Sequence, residues 1–209
     1  MLLSIDELKQ KFELPLPGFN SHLKMTPESR TAELLKGKDK ILKAKLSAVL
    51  ILLFPDNGQL KTVFIQRSEY EGVHSGQIAF PGGQYEESDG NFETTALRET
   101  FEEIGVEPEK IQILGKLTDL FIPPSNFLVH VFVGYCTKRP EYVIDKKEVQ
   151  SVIEISIADF YSENRIFEKE FFSSSRKIRK IAPYYNINNI EIWGATAMIV
   201  SELLDILKF

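Results

Sequence analysis

Residues 45–54, KLSAVLILLF, are apolar at almost every position. Successive side chains of a β-strand point to opposite faces of its sheet. A strand without alternation must therefore be buried on both faces, which calls for cover above and below. Asp56-Asn57-Gly58 then signals a tight turn, and LKTVFIQR, residues 60–67, reads as the returning strand of a hairpin. Further strands are expected at 111–118, 127–136 and 151–155. Residues 91–104 have helical periodicity, with Phe92, Thr95, Ala96, Phe101 and Ile104 supplying the apolar surface, Asn91 or Asp89 as cap and Gly105 as stop. Residues 196–208 read as an amphipathic helix ending on Lys208. Strands mixed with few helices indicate an α/β fold with a mixed sheet between helices, not a βαβ array.

Residues 1–43 read as a polar leader, packed on or extending from a domain that spans 44–209. Ser4, with Glu7 three residues on, completes a capping box for a helix over 5–12. Lys36, Lys38, Lys40, Lys43 and Lys45 form a basic stretch, read mainly as a solvated approach to the first strand.

The net charge of -5 supplies no basic face for non-specific nucleic-acid binding. The single cysteine, Cys136, cannot form an internal disulfide, which fits a reducing compartment. The start, MLLSIDELKQ, has acids where a signal peptide needs a positive region. The longest apolar run, Ala48 to Phe54, is far short of the roughly 20 residues that span a bilayer. The expectation is a soluble cytoplasmic protein without membrane contact.

The chemistry concentrates in Phe80 to Val106, FPGGQYEESDGNFETTALRETFEEIGV. Glu99, Glu102 and Glu103 stand at i, i+3 and i+4, which puts three carboxylates on one side of the helix. Like charges so spaced repel, and a divalent cation reverses that. Mg²⁺ prefers carboxylate oxygen and retains substrate phosphates in its shell. The bland alternative is a solvated acidic face. Pro81-Gly82-Gly83 upstream favours the metal, because glycines there let a ligand approach the backbone. Arg98 can pair with Glu102 at i+4 and orient it.

These residues resemble the box of the Nudix hydrolases, G-x5-E-x7-R-E-U-x-E-E-x-G-U with U apolar. Gly83, Arg98, Glu99, Glu102, Glu103, Gly105 and Val106 match it. The upstream acid is Asp89 instead of Glu, one residue further from Arg98 than the pattern has it, and one U position is Thr100. That pattern resembles the coenzyme A pyrophosphatase subgroup. So do Arg67-Ser68 and the run His74-Ser75-Gly76-Gln77-Ile78-Ala79-Phe80-Pro81-Gly82-Gly83, although Glu71-Gly72 stand where that subgroup has Leu-Arg.

The resemblance implies a Nudix-type α/β/α sandwich and hydrolysis of a diphosphate with Mg²⁺ or Mn²⁺. The substrate would be coenzyme A or its acyl derivatives, cut to adenosine 3′,5′-bisphosphate and 4′-phosphopantetheine products. ADP-ribose, NADH or a dinucleoside polyphosphate is the alternative, and a catalytically silent sensor a third. It implies Glu99, Glu102, Glu103 and the Gly83 carbonyl as metal ligands, with Arg98 among the catalytic set. It also implies Arg67, His74, Gln77, Gly82 and Gly83 at the substrate, and a possible homodimer. The base is open among Glu99, Glu103 and a loop acid such as Glu163. The Gly-rich segment is expected at the N-terminal end of the 91–104 helix, where a phosphate would be favoured.

Among the remaining residues, His74 reads as either a substrate contact or a structural hydrogen bond, and Arg67 as a phosphate contact or a structural ion pair. His130 reads as structural, Cys136 and Trp193 as packing, and Arg176, Lys177, Arg179 and Lys180 as a solvated loop. Phe121 to Phe127 reads as an aromatic-lined loop between strands.

Overall fold

Everything assembles around β1 (Lys45–Asp56). In a computed structural model describing residues 4–27, 41–68, 76–162, 165–173 and 178–208, its side chains divide by parity between two cores. Ile51 and Leu53 enter one; Leu50, Leu52 and Phe54 enter the other. The unbroken apolar run is thus two interleaved period-2 patterns, each facing its own layer.

Asn57 and Gly58, both at positive φ (49° and 75°), turn β1 into β2 (Gln59–Arg67). A two-residue loop with both φ positive matches the right-handed twist of the strands it joins. The hairpin stays paired only from Leu53↔Thr62 to Asp56↔Gln59. Beyond that the strands part, and residues 78–84 fill the split. β3 (Ile78–Ala79) pairs with β2, Ala79 opposite Ile65, and β4 (Gly82–Gln84) pairs with β1, Gly82 opposite Val49. Between them the Pro81 carbonyl accepts from Leu50 N at 2.9 Å.

β5 (Gln112–Lys116), β6 (Leu120–Ile122), β7 (Phe127–Tyr135) and β8 (Val149–Ser156) complete the sheet. β7 runs parallel to β1 from Lys45↔Phe127 to Leu53↔Tyr135, and β8 runs antiparallel to β2, so the sheet is mixed. α3 (Phe92–Ile104) covers one face. The other carries α1 (Ile5–Glu13), α2 (Phe19–Leu23), α4 (Ile157–Phe160) and α5 (Gly194–Leu207). It also carries a small antiparallel sheet of β9 (Ile166–Ser173), β10 (Ile178–Ile187) and β11 (Ile190–Trp193). Helices on both faces of a mixed sheet are the α/β sandwich that the sequence implies.

Several expectations change. α5 is not amphipathic in place: Ala197 to Leu204 are all buried, Glu202 included. The 5–27 segment supplies the cover, with Leu8, Phe12 and Met25 in the core and His22 Nε2 2.8 Å from Glu202 Oε2. Glu202 also accepts from Thr118 Oγ1 (2.7 Å) and Gly18 N (3.1 Å), so its buried carboxylate is satisfied. α1 begins as expected, with Ser4 and Glu7 capping each other. Phe101, read as apolar surface for the core, is 49% exposed.

Phe121 lies on β6 and Phe127 starts β7, so the expected loop between them is a hairpin. Arg179 and Lys180 lie on β10 instead of a loop; Arg176 and Lys177 are outside the described residues, as are Lys36, Lys38 and Lys40. Trp193 is half-buried, stacked on Phe171 at 4.3 Å. Cys136 is free and buried. Among the described residues, no helix is long and apolar enough to cross a membrane.

Candidate active site

α3 lies over the split in the sheet and runs antiparallel to residues 82–85. Asn91 caps it, its side chain accepting from Thr94 N at 2.9 Å, and Gly105 ends it at φ 74°. Phe92 packs on Tyr85 and stacks on His130 at 3.7 Å. His130 also has its Nδ1 3.0 Å from Asp119 Oδ1. Further along, Arg98 faces Gln84, Glu99 faces Gly83 and Glu103 faces Gly82. The Gly-Gly pair therefore lies beside the C-terminal half of α3. This corrects the expectation of a glycine loop at the helix N-terminus. The antiparallel course of β4 under the helix is the cause.

The three glutamates diverge. At 100° per residue, Glu102 and Glu103 fall on opposite sides of Glu99 around the axis. Glu103 turns into the split and is 2% exposed; Glu102 points outward and is 54% exposed. Glu99 lies between them, its carboxylate against the Gly83 backbone. A Cβ on Gly83 would overlap that carboxylate, with Glu99 Oε1 2.5 Å away. Among the described residues, no three His, Cys, Asp or Glu side chains form a ready-made cation cage.

Arginines neutralise this acidic set. Arg98 Nη1 lies 2.9 Å from Glu99 Oε1 and 3.0 Å from Glu102 Oε2. Its other face is clamped by Asp89, with Nε 2.7 Å from Oδ1 and Nη2 3.1 Å from Oδ2. Asp89 also accepts from Thr95 Oγ1 and Glu86 N, and the Arg98 guanidinium holds its carboxyl well below the usual range. Asp89 ends a 3-10 turn, Glu87–Asp89, closed by Gly90 at φ 72°. Thr100 is buried with its hydroxyl donating to Ala96 O, so it packs as an apolar residue would.

Glu103 is the anomalous group. Its Oε2 accepts from Gly82 N at 2.9 Å, while its Oε1 is buried without a hydrogen-bond partner. Among the described residues the nearest cation is Arg67 Nη1 at 3.6 Å, beyond hydrogen-bond range, and Arg67 Nε is itself buried and unpartnered. Burial pushes the Glu103 carboxyl up to about 8 against the opposing pull of Gly82 N and Arg67. Burial likewise raises Glu99, against Arg98. An unsatisfied buried carboxylate oxygen, beside a second raised carboxylate and a backbone without Cβ, is chemistry that a hard divalent cation completes. The residues present fit such an ion.

Of the remaining candidates, Gln77 meets Arg67 through its backbone, with Arg67 N donating to Gln77 O at 3.0 Å. His74, Glu71-Gly72 and Glu163 lie outside the described residues. Glu148, which the sequence did not single out, adds negative charge near both Glu99 and Glu103. A bulge in the β2–β8 pairing at Gln66/Arg67 sets its place, and Ser68 N donates to its carbonyl. No local pattern marks it, because the pairing that brings it in is long-range.

The Gly83 cradle makes a prediction. In Gly83→Ala the new methyl displaces only the flexible end of Glu99, so thermal stability should change by less than about 1 kcal/mol. If Glu99 belongs to the reacting site, kcat should fall about 100-fold, the usual cost of misplacing a reacting group by an ångström. Unchanged kcat would remove Glu99 from the site.

A family model described as the NUDIX domain matches residues 44–175. Nudix hydrolase 3 of Caenorhabditis elegans is 29% identical over 204 residues, covering 91% of this chain and 83% of that protein. The Nudix hydrolase NudL of Citrobacter koseri is 27% identical over 205 residues, covering 96% and 93%. Among solved structures, a MutT/nudix family protein from Enterococcus faecalis superposes with TM-score 0.51 at 18% identity, over 98% of this chain and 74% of that one; it speaks to the fold alone. The matched span takes in the split sheet, the segment that fills it and the whole of α3, and on that ground the chain belongs to the Nudix hydrolase family.

Proposed function

We propose that this Nudix hydrolase cleaves the diphosphate of coenzyme A or acyl-coenzyme A, giving adenosine 3′,5′-bisphosphate and (acyl-)4′-phosphopantetheine. The observation that carries the chemistry is the Glu103 carboxylate, buried beside Gly82-Gly83 with one oxygen unsatisfied. Glu99, Glu102, Glu103 and the Gly83 carbonyl would hold a divalent cation, Mg²⁺ or Mn²⁺, which supplies positive charge against the linked phosphates and lowers the pKa of water. In the reaction an O–P bond forms from water, the bridging P–O bond breaks, and the departing phosphate takes the bridging electron pair. Glu99, Glu103 or a loop acid such as Glu163 accepts the proton. Asp89 fixes Arg98, and Arg98 in turn fixes the directions of Glu99 and Glu102.

The coenzyme A assignment is supported by the run from Gly76 to Gly83 together with Arg67-Ser68. The ends of that signature meet where Arg67 N donates to Gln77 O. Glu71-Gly72 favours a second reading, in which another nucleoside diphosphate derivative such as ADP-ribose, NADH or a dinucleoside polyphosphate is cut. A homodimer in the cytoplasm belongs to the first reading.

A substrate panel with Mn²⁺ or Mg²⁺, with and without chelator and with products identified by mass spectrometry, separates the two. Release of adenosine 3′,5′-bisphosphate from coenzyme A, lost on chelation, is expected. Intact coenzyme A alongside hydrolysed ADP-ribose would sink the coenzyme A assignment. No turnover of any member would favour a silent sensor.

A further inference from the structure

The two arginines of the site are held very differently. Arg98 is fixed on every side by Asp89, Glu99, Glu102 and the Gln84 carbonyl. Arg67 reaches Glu103 only at 3.6 Å, makes no hydrogen bond there, and leaves its own Nε and Glu103 Oε1 both buried and unpartnered. Buried polar atoms are normally satisfied, so an unsatisfied atom on each of two neighbouring side chains marks an arrangement completed by something else. The Arg67 backbone is anchored by Gln77 O at the end of β2, while its side chain is 26% exposed and has solvent to turn into.

We propose that Arg67 is an exchangeable counter-charge. It stands against Glu103 while the site holds no divalent ion, and it swings to a phosphate of the substrate when the ion takes Glu103. This rests on the metal-dependent reading above and deepens it: ion and diphosphate would then bind in a coupled order. A guanidinium released from a carboxylate has the fork geometry for a bidentate phosphate contact. The clamp from Asp89 keeps Arg98 from doing the same.

The proposal predicts effects of opposite sign from one substitution. Above about pH 8, where the Glu103 carboxyl is ionised, Arg67→Ala removes the cation that competes for it, so Mn²⁺ affinity without substrate, read by electron paramagnetic resonance, should rise about tenfold. The same variant, saturated with Mn²⁺, should bind imidodiphosphate about tenfold more weakly by calorimetry. Arg67→Lys keeps the charge but loses the fork. It should hold Mn²⁺ within about twofold of the parent and still bind imidodiphosphate weakly, which carries the test if Arg67→Ala does not fold.

Unchanged or weaker Mn²⁺ binding in Arg67→Ala overturns the proposal, as does unchanged imidodiphosphate binding. Glu103→Gln separates the two levels. If it loses Mn²⁺ while Arg67→Ala behaves like the parent, only the handover fails. If Glu103→Gln binds Mn²⁺ like the parent, the metal reading fails and the handover with it.

Discussion

Glu103→Gln is expected to lower kcat by about a thousandfold or more while leaving the fold intact. The substitution keeps shape and volume, and the Gln amide oxygen can still accept from Gly82 N, whose bond to Glu103 Oε2 is 2.9 Å. What it removes is the negative charge at a buried oxygen that, among the described residues, no protein donor satisfies. Activity near that of the parent would refute the role given to Glu103.

The same variant has a pH signature. In the ion-free folded chain the Glu103 carboxyl is raised to about 8 by burial, whereas in the unfolded chain it titrates near its ordinary value of 4.5. Between those values the folded state holds a proton that the unfolded state has released. Stability from this group is therefore complete below pH 4.5, declines as pH rises, and is gone above about 8. The shift amounts to roughly 3–5 kcal/mol at most. Melting curves of the chelated protein from pH 5 to 8 should show this decline, and Glu103→Gln should lack it. Added Mn²⁺ should raise the parent's melting temperature most at the alkaline end and the variant's hardly at all. Parallel pH profiles for the two proteins would contradict the raised carboxyl.

Gly82→Ala is expected to cost about 3–5 kcal/mol of stability, lowering the melting temperature by about 10 °C. Gly82 sits at φ 151°, a conformation that L side chains rarely adopt. Its Cβ would run into the Ala48 carbonyl, Val49 Cα at 2.6 Å and Val49 Cγ1 at 2.8 Å. Those atoms belong to β1, which is bonded to β4 on one side and β7 on the other and cannot withdraw. One position along, Gly83→Ala meets only the movable end of Glu99. Adjacent glycines thus divide the labour: the first permits the close approach of β4 to β1, the second leaves room for a carboxylate. Calorimetry shows the first effect and kinetics the second, and a fully stable Gly82→Ala would contradict the geometry of the split.

Much of the molecule is legible locally. The hairpin at Asn57-Gly58, the Asn91 cap, the Gly105 stop and the Ser4–Glu7 capping box follow from short-range rules, and each appears in the structure. The Arg98–Glu102 pair follows from helical spacing. The β9–β11 sheet is not legible in the same way: its pairings are local hairpins, but its strands carry Lys, Arg and Glu between aromatics and so lack a clean apolar alternation. The amphipathic reading of α5 failed because cover from residues 5–27 buries the side that would otherwise face water.

By itself, the sequence determined which residues share a strand or a helix, because propensity, capping and turn chemistry act over a few residues. Only the tertiary structure decided that Glu103 is buried with a free oxygen, that Glu102 faces solvent, that Arg67 stands against Glu103, and that Glu148 joins them. Those outcomes depend on where β1 and β2 part and on what fills the gap. Burial and long-range pairing, which set charge and proton affinity at the site, exist only once the chain has closed on itself.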